Sequence, residues 1–158
     1  MIKIIAVGKV REKFFEDAIA EYIKRLSAHT NLSIIQVEDE KCPESISEKQ
    51  AGLIREKEGG RILKNIRDGE YVITLEIEGK SRSSAEFAAL IEQLALNGLS
   101  DITFVIGGSI GLSPHVSERA DLKLSFSKMT FPHQLMRVIL LEQIYRAFRI
   151  IKKEPYHK

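Results

Sequence analysis

Residues 101–134 read DITFVIGGSIGLSPHVSERADLKLSFSKMTFPHQ and contain the segment that decides the fold. The apolar run at 102–106 is typical of a buried strand, and it leads directly into the turn GGSIG at 107–111. A short strand at 122–127 and a helix that opens at Pro132 are predicted to follow. A glycine-rich turn at the end of a strand can cradle a phosphate, expose a nucleophile or simply reverse the chain. The rest of the sequence has to decide among these.

Strand and helix patterns alternate along the whole chain. Further strands are predicted at 2–8, 32–38 and 70–77, the last closed by Gly79, and helices at 13–29, 42–66, 83–98 and 132–151. In the second helix, Ser45 or Ser47 is the expected cap, and Gly59-Gly60 is expected to be a weak point. Strands that alternate with helices predict a mainly parallel sheet with helices on both faces. We therefore expect one α/β domain that spans residues 1–158.

Composition limits the function classes. The chain has 158 residues, of which 44% are hydrophobic and 29% charged, as is typical of one globular domain. A net charge of +2 neither requires nor excludes a nucleic-acid partner. The single cysteine, Cys42, excludes an internal disulfide and a cysteine-rich zinc site, so we expect no metal and a reducing compartment. The first apolar run is too short for a secretory signal, and no stretch reaches the about 18 apolar residues of a membrane span. A cytoplasmic protein is the expectation.

Ligands of open α/β sheets bind outside the carboxyl ends of the strands. Three predicted strand ends have a suitable composition: ITLEIEGK at 73–80, VIGGSIG at 105–111 and LSFSKMTFPH at 124–133. The glycines of the second segment allow positive φ angles and a close approach of the backbone to a ligand. The sequence therefore predicts a binding site where these three segments meet.

The glycine turn is compatible with more than one chemistry. It does not match the dinucleotide fingerprint G-x-G-x-x-G. It does match G-x-S-x-G, so Ser109 is a candidate nucleophile with His133 or His157 as its base, which would make the protein a small serine hydrolase. A nucleotide-binding regulatory module without catalysis is a third alternative. The turn alone leaves these alternatives open.

Three segments of the sequence together resemble one protein family. They are FVIGGSIGL at 104–112, LSFSKMTFPHQLMRVILLEQIYRAF at 124–148 and EPYHK at 154–158. They are similar to RlmH-type SPOUT methyltransferases, which methylate N3 of a pseudouridine in 23S rRNA of the large ribosomal subunit. The resemblance extends from KIIAVGK at 3–9 to the last residues, and its most specific word is SFSKMTFPHQ.

The resemblance implies a fold, a cofactor and an assembly. It implies a SPOUT fold with a C-terminal trefoil knot, a homodimer, and S-adenosylmethionine as the methyl donor, bound in the knot. It also implies that the cofactor is bound by residues of the three strand ends, namely Leu75, Gly107, Phe126, Ser127, Lys128, Met129, Thr130 and Phe131. In this interpretation Ser109 is a turn residue and no nucleophile.

Catalytic candidates lie near the last helix. The acceptor nitrogen carries a proton. Some group of the protein must accept this proton or stabilise the anion that forms when it leaves. His133 and Arg137 share one face of the helix, and a buried Arg137 would need a partner such as a substrate phosphate, a uracil carbonyl or an intersubunit carboxylate. The resemblance implies that the tail completes the active site. We therefore expect Tyr156 and His157 to reach a pocket built mainly by the partner subunit.

Two further expectations concern partners. Apolar residues occur nearly all round the last helix, which favours a C2 homodimer. Contact with the phosphates of 23S rRNA requires basic residues, and the candidates are Lys9, Arg11, Lys13, Arg146, Arg149, Lys152, Lys153 and Lys158. Because no RNA-binding domain is appended, we expect recognition of an assembled ribosomal surface rather than of naked RNA.

Overall fold

Five strands and five helices follow one another along the chain. The computed structural model describes every residue from Met1 to Lys158. The strands are β1 (Ile2–Val7), β2 (Leu32–Val37), β3 (Tyr71–Ser81), β4 (Ile102–Ile106) and β5 (Leu122–Ser125). The helices are α1 (Lys13–Leu26), α2 (Glu48–Leu63), α3 (Ser84–Leu96), α4 (Pro114–Arg119) and α5 (His133–Ile151). None of these helices has the length and apolar character needed to cross a bilayer.

The strands form a single sheet in the order β2-β1-β4-β3-β5, and all neighbouring pairs are parallel. The prediction of a parallel α/β sheet is therefore confirmed. Because every strand points the same way, the segments that follow β1, β3, β4 and β5 leave the sheet at one edge. This edge contains the three segments in which the sequence predicts a site.

The sheet separates two apolar cores. Along β1, Ile4 and Ala6 belong to the larger core, which includes residues of α1, α3 and α5, whereas Ile5 and Val7 belong to the smaller core with residues of α2 and α4. This alternation follows from the period of two in a strand. Helices on both faces of the sheet are thereby confirmed.

Helix α2 begins later than predicted and has no break. Ser47, one of the two expected caps, forms a capping box with Gln50, so the helix starts at Glu48 rather than at 42. The expected weak point at Gly59-Gly60 is wrong, because the helix continues to Leu63. A Cβ atom at Gly59 would lie 2.4 Å from the Ser113 Oγ, so this glycine permits close packing between α2 and the start of α4.

Two features of the second half of the chain differ from the prediction. Helix α4 was not predicted, although Ser113 caps it and Pro114 occupies its first turn, a combination that favours a helix start. Strand β3 does not end before Gly79 but continues to Ser81. Its register on β5 shifts, and both Leu75 and Lys80 are partners of Leu124.

A buried ion pair connects strands at the amino-terminal edge of the sheet. The Lys3 Nζ lies 2.5 Å from Glu70 Oε1, and the Thr103 hydroxyl donates to Glu70 Oε2 at 2.7 Å. Lys3 also donates to the Asn65 carbonyl at 2.8 Å. Burial alone would raise the pKa of the Glu70 carboxyl, but the hydrogen bonds from Lys3 and Thr103 outweigh burial and lower this pKa.

We expect the Glu70→Gln variant to lose about 3 kcal/mol of unfolding free energy at pH 7, because Lys3 is left buried without a counter-charge. The pKa of Glu70 is lowered in the folded state, so its stabilisation is present above about pH 4.3 and is lost as the pH falls through the folded value. The difference between wild type and variant should therefore shrink below about pH 4. Urea unfolding at fixed protein concentration measures both effects.

The exposed pair between the Met1 ammonium and Asp101, 3.2 Å apart, provides the control. Asp101→Asn should cost less than about 1 kcal/mol, because exposed ion pairs contribute little. Equal losses in Glu70→Gln and Asp101→Asn would contradict a stabilising role of the buried pair.

Candidate functional site

A cleft of about 800 Å³ opens at the carboxyl edge of the sheet. Its walls are the end of β3, the glycine turn after β4, the segment after β5 and the start of α5. The three strand ends that the sequence singles out thus meet in one cavity. Seven of the eight residues expected to contact a cofactor line it, namely Leu75, Gly107, Phe126, Ser127, Met129, Thr130 and Phe131. Lys128 belongs to the same loop but does not line the cleft.

The glycine turn presents its backbone to the cleft and packs tightly on its other side. A Cβ atom at Gly107 would lie 2.9 Å from Leu112 Cδ2, and one at Gly108 would lie 2.9 Å from Glu58 Oε2. Gly111 has a φ of +84°, and its N–H donates to the Gly108 carbonyl at 3.2 Å. Within the turn, positive φ thus requires glycine only at Gly111. At Gly107 and Gly108 glycine is required because the side chains of Leu112 and Glu58 leave no room for a Cβ atom.

The loop after β5 is held by its own hydrogen bonds and by two aromatic rings. The Ser127 Oγ accepts the Met129 N–H at 2.9 Å, and the Ser125 hydroxyl donates to the Ser127 carbonyl at 3.2 Å. Phe126 and Phe131 pack against the larger core. Met129 lies between these anchors with 73% of its surface exposed. The loop therefore offers an apolar and partly open wall to a flat ligand.

Two ionisable side chains line the cleft. The Glu76 carboxylate accepts hydrogen bonds from the hydroxyls of Thr74 and Ser117, at 2.7 and 2.8 Å. His133 lies at the start of α5, where burial and the nearby charge of Arg137 lower the pKa of its imidazole. A histidine with a lowered pKa is neutral at pH 7 and can accept a proton. The sequence analysis missed Glu76, although Thr74 and Glu76 are spaced to share one face of a strand.

Arg137 finds partners for one of its nitrogens inside its own chain, while its Nε and Nη1 are buried without a hydrogen-bond partner. Only 1% of its surface is exposed, and its Nη2 donates to the carbonyls of Val7 and Gly8 at 2.9 and 2.7 Å. Burial lowers the pKa of this guanidinium. Main-chain carbonyls were not among the expected partners, and Arg137 does not line the cleft. The contact instead ties α5 to the carboxyl end of β1.

The tail folds back on the second half of α5, between Glu142 and Arg149. The Tyr156 hydroxyl donates to Glu142 Oε1 at 3.1 Å, and its ring meets the Tyr145 ring edge-on at a centroid distance of 4.9 Å. Arg146 lies over the Tyr156 ring and 3.3 Å from His157 Nδ1. Neither Tyr156 nor His157 lines the cleft of its own chain. Of the four candidate catalytic residues, the structure brings only His133 to the cleft.

Ser109 lies in the cleft without the environment of a nucleophile. It lines the cavity, yet its hydroxyl makes no hydrogen bond to His133 or to any other base. A serine hydrolase requires such a base within hydrogen-bond reach. The geometry therefore does not support the hydrolase alternative.

Known proteins resemble this chain over its whole length. A family model described as "Predicted SPOUT methyltransferase" matches residues 1–157. Proteins of Clostridium botulinum strains Hall and Loch Maree, both named "Ribosomal RNA large subunit methyltransferase H", are 60% identical over 157 residues, which is 99% of either chain. A solved structure of a "probable methylase family protein" from Haemophilus influenzae Rd KW20 has a TM-score of 0.55 at 16% identity, covering 99% of this chain and 70% of the other. The chain belongs to the SPOUT methyltransferase family.

Proposed function

We propose that this protein transfers the methyl group of S-adenosylmethionine to N3 of a pseudouridine in 23S rRNA of the large ribosomal subunit. The observation that carries the proposal is the cleft at the carboxyl edge, where seven of the eight expected cofactor residues come together. Relatives that are 60% identical over 99% of this chain are named as large-subunit rRNA methyltransferases, which supports the substrate.

The cleft fits the proposed cofactor. Its volume of about 800 Å³ lies within the range of small-molecule sites. Phe126, Phe131 and Leu75 supply apolar surface for an adenine ring, and Gly107 and Gly108 supply main-chain groups that no side chain of their own covers. S-adenosylmethionine supplies a methyl group that its sulfonium has already activated, so the protein mainly has to orient donor and acceptor. Lys128, next to two lining residues, is proposed to bind the cofactor carboxylate from the rim.

The acceptor N3 must lose its proton. We assign His133 as the group nearest to this task within one chain, because it lines the cleft and its lowered pKa keeps it neutral at physiological pH. Arg137 is proposed to act by position, since it fixes the start of α5 against β1 through the Val7 and Gly8 carbonyls. It thereby keeps His133, one helical turn away, at the cleft.

The position of the tail supports a homodimer with shared sites. His133 and Ile151 are the first and last residues of α5, which is therefore roughly 27 Å long. The cleft lies at the first turn of this helix, and the tail packs from Glu142 onward, nine residues or roughly 13 Å further along, so a tail cannot serve its own cleft without leaving its contacts on α5. We propose that Tyr156 and His157 serve the cleft of a second copy of the chain. Half-buried Leu135, Val138 and Ile139 supply apolar surface for that copy.

The proposed trefoil knot rests on membership of the SPOUT family, and β3 and β5 pack closely where the C-terminal segment begins. A Cβ atom at Gly79 would lie 2.8 Å from the backbone of Lys123 and Leu124. Strand β3 thus lies against β5 on both sides of its shift, at Leu75 and at Lys80.

Basic residues near the cleft are proposed to bind rRNA phosphates. The main-chain N–H of Arg11 donates to Gln134 Oε1 at 2.8 Å, and this bond holds the segment after β1 beside the start of α5. Lys9 and Arg11 take part in no ion pair, whereas Lys13 pairs with Asp17 and Arg146 with Glu142. Unpaired cations exchange counterions for phosphates at the lowest cost. Since ribosomes are the proposed substrate, the protein is placed in the cytoplasm.

Mass mapping of rRNA tests the proposed activity. Large subunits from cells that lack this protein, incubated with the purified protein and S-adenosylmethionine, should gain one methyl group on a pseudouridine of 23S rRNA. Naked 23S rRNA should be methylated far less, because the small chain reads an assembled surface. No transfer to either substrate would contradict the proposed function, and equal transfer would contradict recognition of the assembled ribosome.

The glycine turn should control cofactor affinity through Leu112. We expect Gly107→Ala to weaken S-adenosylmethionine binding by about tenfold, because the new Cβ must push against Leu112 and shift the turn. Leu112→Ala alone should have a smaller effect, and it should restore most of the affinity when combined with Gly107→Ala. Calorimetry on the three variants measures this coupling. Strictly additive losses would show that the clash with Leu112 is not the cause.

Deletion of residues 155–158 tests the shared site. The truncated protein should keep its dimerisation and cofactor affinity, while methyl transfer falls by at least about 100-fold. Deletion of Lys158 alone is the control and should leave transfer nearly unchanged.

A mixed dimer sharpens this test. It combines a truncated chain with a full-length chain that carries Gly107→Val and binds no cofactor. If the tail acts across the interface, the truncated chain's cleft works with the other chain's tail, although both parent homodimers are inactive. An inactive mixed dimer would instead assign each tail to its own chain.

A further inference from the structure

We propose that Glu76 is the counter-charge of the cleft and makes it select a positively charged methyl donor over the uncharged product. The inference rests on the proposed function, since it takes S-adenosylmethionine as the ligand of the cleft. It adds a residue to those expected to bind the cofactor, which are Leu75, Gly107 and residues 126–131.

The carboxylate of Glu76 is held in place from one side. Its Oε1 accepts the hydroxyl of Thr74, which is fully buried in β3, and the hydroxyl of Ser117 on α4. Thr74 and Glu76 lie two residues apart on the strand face that is covered by α4. Both hydroxyls donate to the same oxygen, so Oε2 makes no hydrogen bond within the protein. The carboxylate is therefore oriented before a ligand arrives.

No cation of the protein compensates this carboxylate. Glu76 takes part in none of the ion pairs of the structure. The only other ionisable side chain that lines the cleft is His133, and its lowered pKa keeps it neutral at pH 7. The remaining lining groups are apolar, hydroxyl or main-chain groups. At neutral pH the wall of the cleft thus carries one negative charge.

The proposed donor and its product differ in the charge that such a wall can distinguish. S-adenosylmethionine has a sulfonium cation, whereas S-adenosylhomocysteine has a neutral thioether at the same place. Their adenine, ribose and amino-acid groups are identical. A fixed carboxylate in a partly apolar cleft therefore favours the donor through a charge interaction that the product lacks. A preference for the donor also helps the product to leave.

Calorimetry with four ligands tests this role in the wild-type protein and in Glu76→Gln. S-adenosylmethionine carries the sulfonium, and sinefungin carries an amine at the equivalent place. S-adenosylhomocysteine and methylthioadenosine have a neutral sulfur there. We expect the substitution to lower the affinity for the first two ligands by about tenfold, because one partly exposed charge interaction is lost. The affinity for the other two should change by less than about twofold.

Glu78→Gln is the matched control. Glu78 is exposed on the same strand two residues further on and does not line the cleft. It removes the same charge from the protein as a whole, so its four affinities should equal those of the wild type. If both substitutions weaken binding of the cationic ligands equally, the preference for these ligands comes from the net charge of the protein. That outcome would overturn the role of Glu76.

Other outcomes also decide the matter. Equal weakening of all four ligands would overturn the proposal, because it would make Glu76 an acceptor for the ribose hydroxyls that all four share. Unchanged affinities in Glu76→Gln would overturn it as well. If the wild-type protein binds none of the four, the proposed function itself fails, which is distinct from a failure of Glu76 alone.

A measurement on the wild type covers the case in which Glu76→Gln does not fold. Raising the salt concentration should weaken S-adenosylmethionine more than S-adenosylhomocysteine, because salt screens a charge interaction that only the donor makes. Identical salt dependence of the two ligands would contradict the proposal.

Discussion

The close contact between β3 and β5 at Gly79 is the constraint on which the cleft depends. Only a residue without a side chain lets β3 pass the backbone of Lys123 and Leu124 at this distance. The contact allows β3 to pair with β5 on both sides of its register shift. Because Leu75 pairs with Leu124 at the start of this shift, the loop that follows β5 lies beside Leu75, and both line the cleft.

Much of the architecture is predictable because it depends on local patterns. The apolar runs of β1 and β4, the capping box at Ser47 and the amphipathic spacing of α1 are legible along the chain, and they are sufficient for a parallel α/β sheet. The general rule for open sheets then locates the site at the carboxyl edge. What the local pattern does not contain is packing between distant segments. Gly59 looks like a helix breaker until Ser113 is placed beside it.

The candidate site was predictable to a similar degree. Its prediction was incomplete for the same reason, because contacts between distant segments cannot be read from local patterns. Segments 107–111 and 126–131 are distinctive words, so they could be picked out from the sequence and the resemblance. Glu76 sits in a run that reads as an ordinary strand, and its role depends on Ser117, 41 residues further on. Arg137 was correctly expected to need partners, but the carbonyls of Val7 and Gly8 come from the other end of the chain. Spacing along a helix carries no information on such contacts.

The contact of Gly59 with Ser113 connects a position outside the cleft to a side chain that lines it. Ser113 caps α4, and α4 carries Ser117, whose hydroxyl orients the Glu76 carboxylate. Because a Cβ at position 59 has no free space, any larger residue there must displace the cap of this six-residue helix. The tolerance of position 59 to mutation is therefore limited by packing against α4, the helix that carries Ser117, and not by the stability of α2 alone. Helical propensity alone would rank alanine above glycine at this position, whereas the 2.4 Å approach of a new Cβ to the Ser113 Oγ disfavours it.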